Sequence, residues 1–225
     1  MEANKYIEHT LLKPEATKEQ IRILCEEAKS QEFLAVCVNP TWVSYCKDLL
    51  ADSKVLVCTV IGFPLGASLS TAKAAEAQAA VAAGADELDM VINIGYLKSG
   101  LYQEVVEDIK TVLKACQGRP LKVIIETCLL SEEEKVLATQ AVVEAKAAFV
   151  KTSTGFSSGG AKVEDVALMK TIVKDKVGIK AAGGVADINE LYAMVTAGAS
   201  RIGTSRGLSL MKMATQEKEG GDSSY

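Results

Sequence analysis

Ala83-Gly84-Ala85-Asp86-Glu87-Leu88-Asp89-Met90-Val91 holds the end of a helix, a tight loop and a buried strand within a few residues. Gly84 can take the left-handed backbone that stops a helix just before the next strand. The same loop returns at Ala197-Gly198-Ala199, ahead of a strand at Ser200–Gly203. One recurring αβ loop implies one recurring unit. Besides the opening strand at Asp86–Val91, apolar β-rich runs predict strands at Phe33–Val38, Val55–Val60, Leu121–Glu126, Ala147–Lys151 and Val177–Ala181, with a weaker one at Lys5–Thr10. Strand starts recur about every 20 to 35 residues, the length of a strand, a helix and two loops.

The intervening segments carry helical signals. Ile21, Leu24, Cys25 and Ala28 form one apolar stripe, and Ile188, Leu191, Tyr192 and Val195 form another. Thr17-x-x-Gln20 and Ser131-x-x-Glu134 read as capping boxes, and Asp187 as a third N-cap. Right-handed crossovers then force a parallel sheet, and eight units close most economically into a (β/α)8 TIM barrel. The expectation is an α/β protein with one domain over residues 1–215 and a mobile tail over 216–225, whose Glu-Lys-Glu-Gly-Gly-Asp-Ser-Ser composition suits a solvated end. An open doubly wound sheet, lacking the weak first strand, is the structural alternative.

The balance of 48% hydrophobic and 24% charged residues over 225 positions suits a large packed core. A net charge of −4 without a basic cluster argues against a nucleic-acid partner. No apolar run approaches a membrane span, and Met1-Glu2-Ala3-Asn4-Lys5-Tyr6 does not lead into a signal peptide, so no membrane partner and a cytoplasmic location are expected. The six cysteines form no C-x-x-C pair and there is a single histidine, His9, so neither a zinc site nor a disulfide framework is expected. Cys37, near the end of the second strand, reads as a packed thiol close to any site on that rim. Chemistry then falls to Lys, Asp, Glu, Ser and Gly.

In a barrel the working face is built by the C-terminal ends of the strands. Asp89 stands inside an apolar run, Lys151 ends Ala147-Ala148-Phe149-Val150-Lys151, and Lys180 lies in Val177-Gly178-Ile179-Lys180-Ala181. Each alone is most simply a strand-edge group turned to water or to a neighbour. Together they read differently, because Lys151 and Lys180 close consecutive strands whose ends are neighbours. An amine nucleophile must be neutral, and bringing a lysine from about 10.4 toward 7 asks roughly 4 kcal/mol of its site. A second ammonium and desolvation can supply that. Asp89 is expected to hold Lys180 and relay protons, which makes the three a Schiff-base constellation.

Glycine-rich turns follow the same strands: Thr152-Ser153-Thr154-Gly155, Ala182-Gly183-Gly184-Val185 and Gly203-Thr204-Ser205-Arg206-Gly207. The last two follow the final pair of strands, where barrel enzymes often hold phosphate on backbone N–H groups. No P-loop or dinucleotide fingerprint is present. A small phosphorylated molecule fits.

Tyr6-Ile7-Glu8-His9-Thr10-Leu11-Leu12-Lys13-Pro14, Ala35-Val36-Cys37-Val38, Val60-Ile61-Gly62-Phe63-Pro64-Leu65-Gly66, Leu88-Asp89-Met90-Val91-Ile92-Asn93-Ile94-Gly95, Phe149-Val150-Lys151-Thr152-Ser153-Thr154-Gly155-Phe156 and Lys180-Ala181-Ala182-Gly183-Gly184 resemble the deoxyribose-phosphate aldolase family. The resemblance runs from Tyr6 to Leu208. It implies a (β/α)8 class I aldolase that uses no cofactor and no metal. Such an enzyme cleaves the sugar phosphate 2-deoxy-D-ribose 5-phosphate to D-glyceraldehyde 3-phosphate and acetaldehyde, in deoxyribonucleoside catabolism. It further implies Lys151 as the Schiff-base lysine, Lys180 as the second lysine and Asp89 as the proton relay. Thr10, Thr154, Gly155, Gly183, Gly184, Val185, Gly203 and Ser205 fall on substrate- and phosphate-binding positions. Ser223-Ser224-Tyr225 resembles tails whose terminal tyrosine assists proton transfer, and the family suggests a homodimer. Three positions depart from its pattern. Glu8 stands where many relatives have Asp, Arg206 replaces a small residue, and Phe156 occupies a site that is lysine in some members. Two other functions fit these residues: a Schiff-base aldolase or transaldolase for another sugar phosphate, and a sugar-phosphate-binding barrel without catalysis.

Overall fold

Parallel strands buried on both faces need apolar side chains toward the helices, and every strand here supplies them from alternate positions. The computed structural model describes residues 2–221. Its strands are β1 (Ile7–Leu11), β2 (Ala35–Val38), β3 (Leu56–Ile61), β4 (Glu87–Val91), β5 (Leu121–Ile124), β6 (Phe149–Lys151), β7 (Gly178–Ala182) and β8 (Arg201–Thr204). All pair in parallel in chain order, and β8 returns to β1 through Ile7 opposite Ile202, which closes the barrel. The weak first strand is therefore a full member. Its polar look in sequence has a tertiary cause: Glu8 is buried with distant cations, and His9 Nε2 meets Glu27 Oε2 at 2.7 Å on the outer side.

The helices are α1 (Lys18–Ser30), α2 (Val43–Leu49), α3 (Ser70–Ala82), α4 (Ile94–Lys98), α5 (Tyr102–Ala115), α6 (Glu132–Glu144), α7 (Val163–Val173), α8 (Ile188–Ala197) and α9 (Gly207–Gly221). The crossover from β4 to β5 thus contains two helices. Thr17 and Ser131 close reciprocal capping boxes, and Asp187 accepts from the N–H groups of Asn189 and Glu190 at 2.8 and 2.9 Å. The α1 stripe is buried as expected; in α8 it is rotated, with Met194 buried beside Ile188 and Leu191 while Tyr192 and Val195 are half-exposed. Gly84 and Gly198 both adopt positive φ, +102° and +123°. Helix α9 runs past the boundary expected at residue 215, and Tyr225 lies outside the described residues. No described helix is long and apolar enough to cross a membrane.

Alternation divides the strand residues between two environments. Val36, Val57, Leu88, Met90, Val123 and Ile202 face the helices and join the main hydrophobic core. A much smaller apolar cluster of Leu12, Cys37, Cys58 and Val60, edged by Phe63, lies apart from it. Much of the remaining interior is ionic, with Glu8, Asp89, Lys122 and Lys180 all buried from solvent. A barrel interior is normally filled with branched apolar side chains. Here charges replace part of that filling.

Candidate active site

Asp89 is the third residue of β4, so it shares the inward face with Glu87 two positions earlier. Its carboxylate is divided between two groups of partners. Oδ2 accepts from Lys151 Nζ and Lys180 Nζ, each at 2.7 Å. Oδ1 accepts from Lys122 Nζ at 3.0 Å and from the Cys58 thiol at 3.1 Å. Lys151 and Lys180 stand opposite one another in the β6–β7 register, as expected from their places at consecutive strand ends. Lys180 also donates to Glu8, which carries the network across to β1.

Burial alone favours the neutral forms of Asp89, Glu8, Lys180 and Lys122, and their mutual pairing overrides it. Burial works to raise the Asp89 carboxyl, but the ammonium groups of Lys122, Lys151 and Lys180 hold it well below the usual range. Glu8 is also lowered, by Lys122 and Lys180 against the same desolvation. Lys180 is buried, which would lower it, yet Asp89 and Glu8 push it up, so it stays cationic. Lys122 is raised for the same reason, against its own burial, by Asp89, Cys58, Glu8 and Glu87.

Above this network opens a cavity of about 450 Å³, lined by residues from β1, β6, β7, β8 and the loops that follow them. Lys151 lines it; Asp89 and Lys180 lie beneath. The expected binding residues Thr10, Thr154, Gly155, Gly183, Gly184, Val185, Gly203 and Ser205 all line the same space. Gly155, Gly183 and Gly184 have φ of +83°, +84° and +83°, conformations that turn the backbone toward the cavity at little cost only for glycine. Thr154 is a tether in this arrangement: its hydroxyl donates to Glu126 and accepts the Phe156 N–H at 3.0 Å.

Cys37, Cys58 and Asp89 bring potential ligand atoms within 4.8 Å of one another. Lys122 Nζ stands 3.3 Å from Cys58 Sγ, and three ammonium groups surround Asp89, so the local charge opposes a bound cation.

A family model described as DeoC/LacD family aldolase matches residues 4–216. The chain belongs to the DeoC/LacD aldolases. Among relatives of this family, a deoxyribose-phosphate aldolase from Brevibacillus brevis is 59% identical over 94% of this chain and 96% of its own length. One from Streptococcus gordonii is 57% identical over 96% and 98%. Among solved structures, the tetrameric deoxyribose phosphate aldolase from Aeropyrum pernix superposes with a TM-score of 0.88 at 32% identity, covering 96% of this chain and 92% of that one. An aldolase designated QR15 gives a TM-score of 0.92 at 40% identity, covering 96% and 97%.

The three positions expected to depart from the deoxyribose-phosphate aldolase resemblance take definite places. Glu8 is fully buried and ion-paired to Lys180. Arg206 lines the cavity with Lys13, giving its mouth two exposed cations. Phe156 is half exposed and meets Phe63 edge-on, with ring centroids 5.2 Å apart, to form an aromatic rim. Sequence reasoning passed over Lys122, Glu87, Arg201 and Glu126. The first three stand at or near strand starts, where a charge is ordinarily solvated. Only Glu87 shares a strand and parity with Asp89; Lys122 and Arg201 are brought level with Asp89 and Lys180 by the register of the closed sheet, which the sequence does not display. Glu126 has a left-handed φ of +54° and accepts from the Thr154 N–H and hydroxyl, an arrangement for which a glutamate gives no sequence cue.

Proposed function

We propose that the protein is a lyase that reversibly cleaves 2-deoxy-D-ribose 5-phosphate to D-glyceraldehyde 3-phosphate and acetaldehyde through a Schiff base on Lys151. The supporting observation is that, of the three lysines bound to Asp89, Lys151 alone lines the cavity. A substrate carbonyl can therefore meet its Nζ and neither of the other two.

Neutral Lys151 attacks the aldehyde carbon, and loss of water leaves a protonated imine. The sugar C3 hydroxyl gives up its proton, the C2–C3 electron pair flows into the imine, and glyceraldehyde 3-phosphate departs from an enamine. Protonation at C2 and hydrolysis release acetaldehyde and restore the amine. Asp89 and Lys180 move protons during carbinolamine formation and breakdown and at the cleavage step. The phosphate is assigned to the backbone cradle of Gly155, Gly183, Gly184, Val185, Gly203 and Ser205, with Thr10 toward the sugar hydroxyls. Binding remote from the reacting carbons then orients the chain. Tyr225 is assigned to proton transfer at the enamine carbon; deletion of residues 222–225 should lower kcat while imine trapping persists.

The homodimer and the cytoplasmic location belong to the same proposal, and analytical ultracentrifugation separates a dimer from the tetrameric state of the Aeropyrum relative. The mechanism is tested by borohydride reduction in the presence of acetaldehyde, followed by mass mapping. A reduced adduct on Lys151 is the expected result; one on Lys180 or Lys122, or none, overturns it.

A further inference from the structure

We propose that Arg201 and Glu87, at the N-terminal end of the barrel, are positioning residues that set the charge state of Lys151 through Lys122 and Asp89. The inference rests on Lys151 being the imine-forming lysine.

The link is continuous. Arg201 Nη2 donates to Glu87 Oε1 at 3.0 Å, Glu87 Oε2 lies 2.7 Å from Lys122 Nζ, and Lys122 Nζ reaches Asp89 Oδ1 at 3.0 Å. Asp89 Oδ2 then meets Lys151. A second route closes the ring: Glu8 Oε1 stands 3.5 Å from Lys122 Nζ and 3.8 Å from Arg201 Nε, while Oε2 holds Lys180. Several of these contacts lack hydrogen-bond geometry and act through charge, which reaches farther than a hydrogen bond.

The ionisable groups facing inward are Glu8 from β1, Cys37 from β2, Cys58 from β3, and Glu87 with Asp89 from β4. Lys122, Lys151, Lys180 and Arg201 come from β5, β6, β7 and β8. Glu126, buried just after β5, is held by the Thr154 N–H and hydroxyl and is ion-paired to none of these cations among the described residues. Lys13 and Arg206 lie at the mouth, exposed and screened by solvent. Within this ion-paired network, Lys151 as an ammonium sets three carboxylates against four cations. With Lys151 as an amine, the charges balance. A buried excess charge is costly, so the network favours the amine, and Arg201 is the cation that tips the count.

Arg201 is built into this place. Its guanidinium lies over Phe149, 5.3 Å from the ring centroid, and is only 17% exposed. Opposite Phe149 in the register stands Gly178, where a Cβ would fall 2.4 Å from the ring. Only glycine leaves the ring room to support the arginine.

The experiment measures the rate of borohydride-trapped acetaldehyde adduct on Lys151, located by mass mapping, against pH. Glu87→Gln removes an anion and should move the acid limb down by about half a pH unit; Arg201→Gln removes a cation and should move it up by a similar amount. Glu87→Gln combined with Arg201→Gln should return the limb close to the parent, and Arg201→Lys should lie between parent and Arg201→Gln. Circular dichroism confirms that each variant is folded, and a merely structural role would not shift two variants in opposite directions. Shifts of the same sign, or an unmoved limb with the adduct still on Lys151, overturn the inference. An adduct on another residue instead overturns the assignment of Lys151.

Discussion

Lys151 Nζ stands 2.7 Å from Oδ2 of Asp89, with the lysine 3% exposed and the carboxylate fully buried. Asp89→Asn keeps the shape and removes the charge shared by three lysines. Turnover should fall at least about 100-fold, the scale of a lost proton-transfer group. The stranded ammonium groups should also cost about 3–5 kcal/mol of stability, read by urea denaturation. Turnover within tenfold of the parent would exclude Asp89 as the hub.

The cradle over the cavity depends on two backbones in close approach. A Cβ on Gly160 would fall 2.2 Å from the Gly183 carbonyl oxygen, and Ala161 N–H donates to that same oxygen at 2.9 Å. Gly160→Ala should therefore displace Gly183 and raise KM for the phosphorylated sugar about tenfold, with a much smaller change in kcat. Steady-state kinetics with and without the 5-phosphate checks this, since the effect should vanish for the non-phosphorylated sugar.

Outside the barrel, Lys73 of α3 and Asp108 of α5 form a fully buried pair at 2.6 Å, and Lys73 also donates to the Val91 carbonyl at 3.0 Å. Lys73→Met should destabilise by about 3 kcal/mol because Asp108 is left without its cation. Adding Asp108→Leu should recover much of the loss, giving a coupling measurable in a double-mutant denaturation cycle.

Acid should undermine the ionic interior. Glu8 and Asp89 both have carboxyl groups lowered in the fold, against their burial, by neighbouring ammonium groups. Unfolded carboxyls titrate near about 4, so the stability these two contribute is complete above that value and is lost as pH falls through the lowered folded values. Glu8→Gln should make stability less steep in pH below about 4, and denaturant midpoints across pH 3 to 6 will show whether it does.

The meeting of Asp89, Lys151 and Lys180 was legible in sequence because each is a charge within or closing an otherwise apolar strand, and Lys151 and Lys180 lie on consecutive strands. Glu87, Lys122 and Arg201 were not, because a charge at a strand start normally reaches water; only closure of β8 on β1 turns them inward together. The first strand was obscured in the same way. Glu8 finds its partner Lys180 at the opposite end of the chain, and no local pattern carries that pairing. The αβ loops and helix caps were readable because glycine, serine, threonine and aspartate act on backbone within a few residues of themselves. The split of the β4–β5 crossover into two helices rests on Asn93, whose side chain accepts from the Tyr96 N–H and starts a short extra turn.

The inward charges are also divided along the chain. Glu8, Glu87 and Asp89 all come from β1 to β4, whereas Lys122, Lys151, Lys180 and Arg201 all come from β5 to β8. One half-barrel is thus an anionic surface and the other a cationic one, neither with a counterion of its own among the described inward strand residues. The seam between them is polarised: separately made halves should find each other by attraction that weakens with salt, and the proposed Schiff-base centre comes into existence only when they meet.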